Sequence, residues 1–162
     1  MMLLRRVAPW LAIAILIALA DQASKSAITS SLRLGEVRSV TGFFNLVLAH
    51  NRGAAFSFLS DAGGWQRLLF IGIAVLATAF IVAMLARHSG EHLFSAGLAL
   101  ILGGALGNLW DRIALGYVVD FLDFYALGWH FWAFNLADSA ITVGAGLLIL
   151  DSLRSSGAVR KA

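Results

Sequence analysis

The sequence predicts a membrane all-α fold: a bundle of four transmembrane helices with a small extracytoplasmic β-containing subdomain at the membrane surface. Three observations predict it. Of 162 residues, 60% are hydrophobic and only 13% charged, against about 25% charged in an ordinary soluble domain. Apolar stretches approaching the roughly 20 residues that cross a bilayer recur along the chain. Between them, the connection over residues 29–64 is the only one long enough to form structure of its own.

The first span is expected at about residues 7–28. Arg5 and Arg6 precede an apolar run that ends in Ala18, Leu19 and Ala20, which imitates a signal peptide with its small-residue cleavage site. The alternative is one helix continuing to Ile28, which puts Asp21 and Lys25 at i and i+4 with the acid first, the favourable order for a helix pair. Within the 29–64 connection, residues 44–50 and 54–59 read as two short strands around a turn at Asn51, Arg52 and Gly53. The apolar side chains of this connection suit a sheet resting on the bilayer. The second span, 67–87, contains the uncharged run 68–86 bracketed by Arg67 and Arg87, and the third, 92–110, contains the run 93–110 between His92 and Asp111. The fourth, 131–151, contains the apolar run 131–150, interrupted only by Asp138. Gly103 with Gly107, and Ala140 with Gly144, are small residues four apart, which predicts that the third and fourth helices touch. No repeat or linker divides the chain, so a single membrane domain over residues 1–162 is expected.

Four spans put both termini on one side. Arg5, Arg6, Arg87, Arg154, Arg160 and Lys161 crowd the short flanks there, whereas Lys25, Arg33, Arg38, Arg52, Arg67 and Arg112 are spread over a longer opposite side. The density of basic residues predicts cytoplasmic termini. Trp65, Trp110, Trp129 and Trp132 gather at the other boundary, as interfacial aromatics do.

Several function classes drop out. Without cysteine there is no thiol nucleophile, disulfide or cysteine-ligated metal. The net charge of +3 comes from scattered basic residues that never form a run, so nucleic acid is not an expected partner. His88, Glu91 and His92 match H-x-x-E-H, but that zinc motif needs one helix and Gly90 interrupts it; no metal is expected. Ser24 and Lys25 are adjacent, and neighbouring helical side chains point about 100 degrees apart, a poor geometry for a serine-lysine dyad.

The acids carry the remaining signal. A charge at membrane depth costs roughly 2.5 to 3.5 kcal/mol on insertion scales, so Asp138 is a candidate functional residue by position alone. Asp120 lies 18 positions earlier. Two carboxylates sharing a site cannot both ionise easily, and the resulting pair of one neutral and one charged acid suits peptide hydrolysis by an aspartic mechanism. Polar neighbours cluster around them: Asn108, Asp111 and Arg112 share a helix face, as do Asn135 and Asp138. Three other readings stay open on these residues. Asp138 could form a stabilising ion pair with Arg112, the two acids could relay protons in a small transporter or channel subunit, or the chain could be a noncatalytic assembly factor.

Taken together the blocks resemble the prolipoprotein signal peptidases, the type II signal peptidase family of bacteria. Asp21 to Lys25 (DQASK) resembles the family's first motif, Asn51 to Phe56 (NRGAAF) the second, and Gly103 to Arg112 (GGALGNLWDR) the third. The segments around Asp120 (VVDF) and Asp138 (FNLAD) resemble the two blocks that carry the catalytic aspartates. The resemblance implies an intramembrane aspartic endopeptidase that removes signal peptides by cutting before a diacylglyceryl-modified cysteine. It assigns catalysis to Asp120 and Asp138, and substrate-binding or supporting roles to Asp21, Lys25, Asn51, Gly53, Asn108, Asp111, Arg112 and Asn135. It also implies that Asp21 and Lys25 belong to the mature protein, which argues against cleavage after Ala20. The expected partners are the lipid-modified prolipoprotein and membrane lipids. No cofactor is expected, and the site is an outer-face one in the bacterial inner membrane of a protein acting as a monomer. In one departure, Trp132 stands where the family commonly has proline, which bears on where the fourth helix starts.

Overall fold

The computed structural model describes residues 2–53 and 64–159. Four helices run through it, α1 (Met2–Ser31), α2 (Trp65–His88), α3 (His92–Ala114) and α4 (Leu136–Val159). Each contains a segment long and apolar enough to cross a membrane. The helix α1 continues unbroken past Ala20 through Asp21 and Lys25. Between α2 and α3 the chain turns in three residues, so His88 closes one helix and His92 opens the next. Among the described residues, H-x-x-E-H is therefore split between two helices.

Half of the apolar window of α3 is buried, against 17%, 11% and 17% in α1, α2 and α4, which makes α3 the central helix. The outer three instead expose Leu16, Leu76, Phe80, Ile149 and other large apolar side chains, the surface a bilayer would cover. Glycines set the spacing around α3. A Cβ on Gly97 would lie 2.9 Å from the Gly144 carbonyl, and one on Gly104 would collide with the Ala137 carbonyl, so these two face α4. Gly103 and Gly107 face α1 instead, against Ala14, Ile17 and Asp21. The third and fourth helices touch as expected. The small residues responsible on α3 are Gly97 and Gly104, not the predicted Gly103 and Gly107, which serve the other neighbour.

A four-stranded antiparallel sheet, order β1-β2-β3-β4, covers one end of the bundle. Its strands are β1 (Val37–Thr41), β2 (Phe44–Asn51), β3 (Val118–Ala126) and β4 (Trp129–His130). Both inter-helix connections at that end contribute, so the sheet is not confined to residues 29–64. β2 pairs with β1 and β3; the second expected strand, 54–59, lies outside the described residues. Leu46 is opposite Leu122 and Ala49 opposite Asp120, so β2 carries one extra residue there, a bulge that re-aims the strand before Asn51. β3 is buried over its first four residues, being covered on both faces.

The fourth helix starts later than expected. Residues 131–134 are extended: the Phe131 amide donates to the Phe124 carbonyl, and Phe134 pairs with Leu122. Helix α4 begins only after Asn135, whose side-chain Oδ1 accepts from the Asp138 amide at 2.9 Å while its own amide donates to Asp138 Oδ2 at 3.3 Å. This reciprocal pair is a capping box with aspartate in the third position. Asp138 accordingly sits in the first turn of α4, not in mid-span.

Candidate active site

Where α3, α4 and β3 converge, a cavity of about 540 Å³ is lined by Asn51, Asn108, Arg112, Asp120 and Asp138 on its polar side. Phe131, Trp132, Phe134, Ile141 and Val143 form its apolar side. Each carboxylate arrives on a different element: Asp120 on the buried start of β3, Asp138 on the capped first turn of α4. The bulge in β2 brings Asn51 beside them.

Three asparagines hold the two acids. Asn51 Nδ2 donates to Asp120 Oδ2 at 3.0 Å and Asn135 Nδ2 to Asp120 Oδ1 at 2.7 Å. Asn108 Nδ2 donates to Asp138 Oδ1 at 2.8 Å. In each case the amide oxygen is occupied by a donor of its own, which fixes which way the amide points. Asn51 Oδ1 accepts from the Gly53 amide, Asn108 Oδ1 from Lys25 Nζ, and Asn135 Oδ1 from the Asp138 amide.

Behind this layer lies a buried ion cluster. Lys25 Nζ is 2.7 Å from Asp21 Oδ2 and 2.8 Å from Asp111 Oδ2, both pairs almost free of solvent. The two acids do more than neutralise the lysine. Asp111 Oδ2 accepts from the Val119 amide, one residue before Asp120. Asp21 Oδ1 accepts from the Ala137 amide, one residue before Asp138. One buried lysine thus ties together the backbone anchors of both candidate catalytic acids.

Arg112 lies elsewhere than an ion pair with Asp138. Its guanidinium donates to the carbonyls of Gly53 at 3.0 Å and Asn108 at 3.3 Å and sits over the Phe70 ring at 5.2 Å. Asp138 takes its hydrogen bonds from Asn108 and from the Asn135 amide, and no ion pair joins it to Arg112 among the described residues. Asp120, outside the spans, has its pKa raised to about 7, first by burial and then by the charge of Asp138. The Asn51 and Asn135 hydrogen bonds oppose that rise. Two acids whose charges oppose each other's ionisation can hold one proton between them at neutral pH.

All ten residues singled out from the sequence meet in this region: seven around the carboxylates and cavity, and Asp21, Lys25 and Asp111 in the ion cluster behind them. Sequence reading missed Gln22, which donates to Asp111 Oδ1 at 2.8 Å and to the Gly107 carbonyl at 3.1 Å. Its signal was an amide beside Asp21 on the helix face that α3 meets. The aromatic wall and the cavity-lining Ser139 and Thr142 were missed as well; an apolar run read as a span conceals a wall.

A family model described as signal peptidase (SPase) II matches residues 13–154. The chain belongs to the signal peptidase II family. It is 60% identical over 148 residues to the lipoprotein signal peptidase of Ralstonia nicotianae, covering 91% of this chain and 86% of that one. To the lipoprotein signal peptidase of Cupriavidus taiwanensis it is 60% identical over 145 residues, 90% of this chain and 82% of that one. A solved bacterial membrane enzyme, determined by the in meso method, matches with a TM-score of 0.83 at 30% identity, over 92% of this chain and 90% of that one. The resemblance carried by the five blocks is borne out, and with it a multi-pass membrane peptide hydrolase.

Proposed function

We propose that this signal peptidase II is an intramembrane aspartic endopeptidase that releases the signal peptide of bacterial prolipoproteins by cutting before a diacylglyceryl-modified cysteine. The observation that carries the reading is the single cavity in which Asp120 and Asp138 face apolar walls while asparagine amides hold both carboxylates. The family membership supplies the reaction class. The peptidases and membrane enzyme matched above lend no support to a transporter.

In this reading Asp120 carries the proton that the pair shares at rest, and Asp138, at the positive end of α4, is ionised. A water between them loses a proton to Asp138 as its oxygen bonds the scissile carbonyl carbon, while Asp120 protonates the carbonyl oxygen. The gem-diol collapses when Asp138 passes that proton to the amide nitrogen, the C–N bond breaks, and a gem-diol hydroxyl returns its proton to Asp120. One water is consumed, leaving a new carboxyl and a new amine. Asn51 and Arg112 face the substrate, Gly53 anchors Arg112, and Asp21, Lys25, Asn108, Asp111 and Asn135 position the acids. Acyl chains of the substrate lie along Phe131, Trp132, Ile141 and Val143, entering laterally from the outer leaflet of the inner membrane, with both termini cytoplasmic.

Replacing Asp120→Asn or Asp138→Asn, each in a protein that still folds and inserts, abolishes cleavage of a diacylglyceryl-modified precursor. Near-normal turnover in either variant removes that residue from catalysis.

A further inference from the structure

The hairpin β3–β4 leads directly into the aromatic wall of the cavity, yet it is a slight structure. Its ladder has two residue pairs, Tyr125 with His130 and Ala126 with Trp129, followed by the Phe131–Phe124 hydrogen bond and the Leu122–Phe134 bridge. Its two-residue loop places both Leu127 (φ 51°) and Gly128 (φ 80°) in the left-handed region, as a type I′ turn requires. Leucine is an uncommon occupant there, and this one is fully exposed, so of the two loop residues only Gly128 favours the turn. What fastens the hairpin is Asp123. Its buried carboxylate has His130 Nδ1 of β4 at 2.9 and 3.0 Å on one side, and on the other accepts Asn45 Nδ2 of β2 at 2.9 Å. One acid therefore ties three strands together. The His130 ring also stacks on Tyr125 at 5.1 Å.

From His130 the chain runs at once into Phe131, Trp132, Ala133 and Phe134, all cavity-lining, and then into Asn135, which donates to Asp120. The Phe131 amide is bonded to the Phe124 carbonyl at 2.7 Å, so the wall begins where the hairpin ends. We propose that Asp123 and His130 are positioning residues that hold the Phe131–Phe134 wall in register for the apolar part of the substrate. They touch no reacting atom. The role rests on the cavity being the substrate site, as proposed above.

The absence of native cysteine permits a clean test. Tyr125 and His130 are directly opposite, flanked by the bonded pair Phe124 and Phe131, so they form the closely spaced kind of antiparallel pair that a disulfide can bridge. The experiment compares His130→Ala, and the double variant Tyr125→Cys with His130→Cys, reduced and oxidised. Two readouts are taken in lipid nanodiscs: amide hydrogen exchange at Phe131, and the KM and kcat for a diacylglyceryl-modified precursor. His130→Ala and the reduced double variant should exchange the Phe131 amide about tenfold faster and raise KM about tenfold. Their kcat should stay within about twofold. Oxidation should restore protection and KM together. Unchanged exchange in His130→Ala, an unchanged KM, an equal fall of kcat and kcat/KM, or a KM that oxidation leaves high would each overturn the role. Failure of the catalytic reading looks different: the wild-type protein would not cleave the precursor, while the exchange measurement still decides whether the latch holds.

Discussion

Asparagine amides, not cations, contact both carboxylates, and this decides how the pair titrates. An amide donor favours the charged form without abolishing the mutual repulsion that keeps a proton in the pair. With Asp120 raised to about 7, kcat/KM should fall on the alkaline side with an apparent pKa near 7 that belongs to the pair. Asn51→Ala removes a donor that lowers this value, so the alkaline limb should move to higher pH. A pH profile of precursor cleavage checks it; a limb that stays or moves down contradicts the assignment. Stability gives an independent reading. The Asp120 pKa is higher in the folded than in the unfolded protein, so its contribution is intact below pH 4 and is lost as pH rises toward 7. The shift corresponds to about 4 kcal/mol before relaxation of the site. Asp120→Asn cannot ionise, so it should raise thermal stability at pH 8 and do little below pH 4, measured by thermal unfolding in detergent.

At the scale of elements, the central helix works because its glycines admit two neighbours at different faces. Gly104 admits the Ala137 carbonyl next to Asp138. Gly104→Ala should overpack that contact, costing about 1–3 kcal/mol and lowering turnover, whereas Gly146→Ala, with open space at its Cβ, should be neutral or slightly stabilising. The buried Lys25 is a second element-scale device, joining α1 to α3. Lys25→Met leaves Asp21 and Asp111 facing each other without their cation, and should destabilise the bundle by about 3–5 kcal/mol. Thermal unfolding of both series checks these values. The same scale shows what the sequence could and could not reveal. Spans α1, α2 and α3 were legible because length and apolar content suffice in a bilayer. The strand β3 was not, because burial on both faces erases the alternation that identifies a strand. The start of α4 was placed at residue 131 because four apolar residues, 131–134, read as membrane-spanning although they pair with β3. Asn108, Asp111, Arg112, Asp120, Asn135 and Asp138 were legible by type and spacing, since a carboxylate among apolar neighbours stands out, whereas Asn51 and Gly53 entered through the resemblance. The glycine faces were not, because small residues four apart do not say which helix they meet.

At the scale of the whole molecule, the sheet, the cavity and the exposed Trp65, Trp110, Trp129 and Trp132 belong to one end of the bundle. The α2–α3 turn lies at the other, where Trp10 Nε1 donates to the Ser89 carbonyl. With the termini in the cytoplasm, as proposed, a cysteine introduced by Ser39→Cys should react with an impermeant reagent in intact cells. One introduced by Ser89→Cys should react only after permeabilisation; the reverse pattern inverts the topology. The central claim, that these two aspartates hydrolyse a lipid-modified precursor, meets its most direct test in one cleavage assay. The purified protein and its Asp120→Asn and Asp138→Asn variants are incubated with a diacylglyceryl-modified precursor and with its unmodified counterpart. The account predicts that only the wild-type protein cuts, only the modified substrate, and immediately before the modified cysteine. Cleavage by either aspartate variant, or equal cleavage of the unmodified precursor, would contradict it.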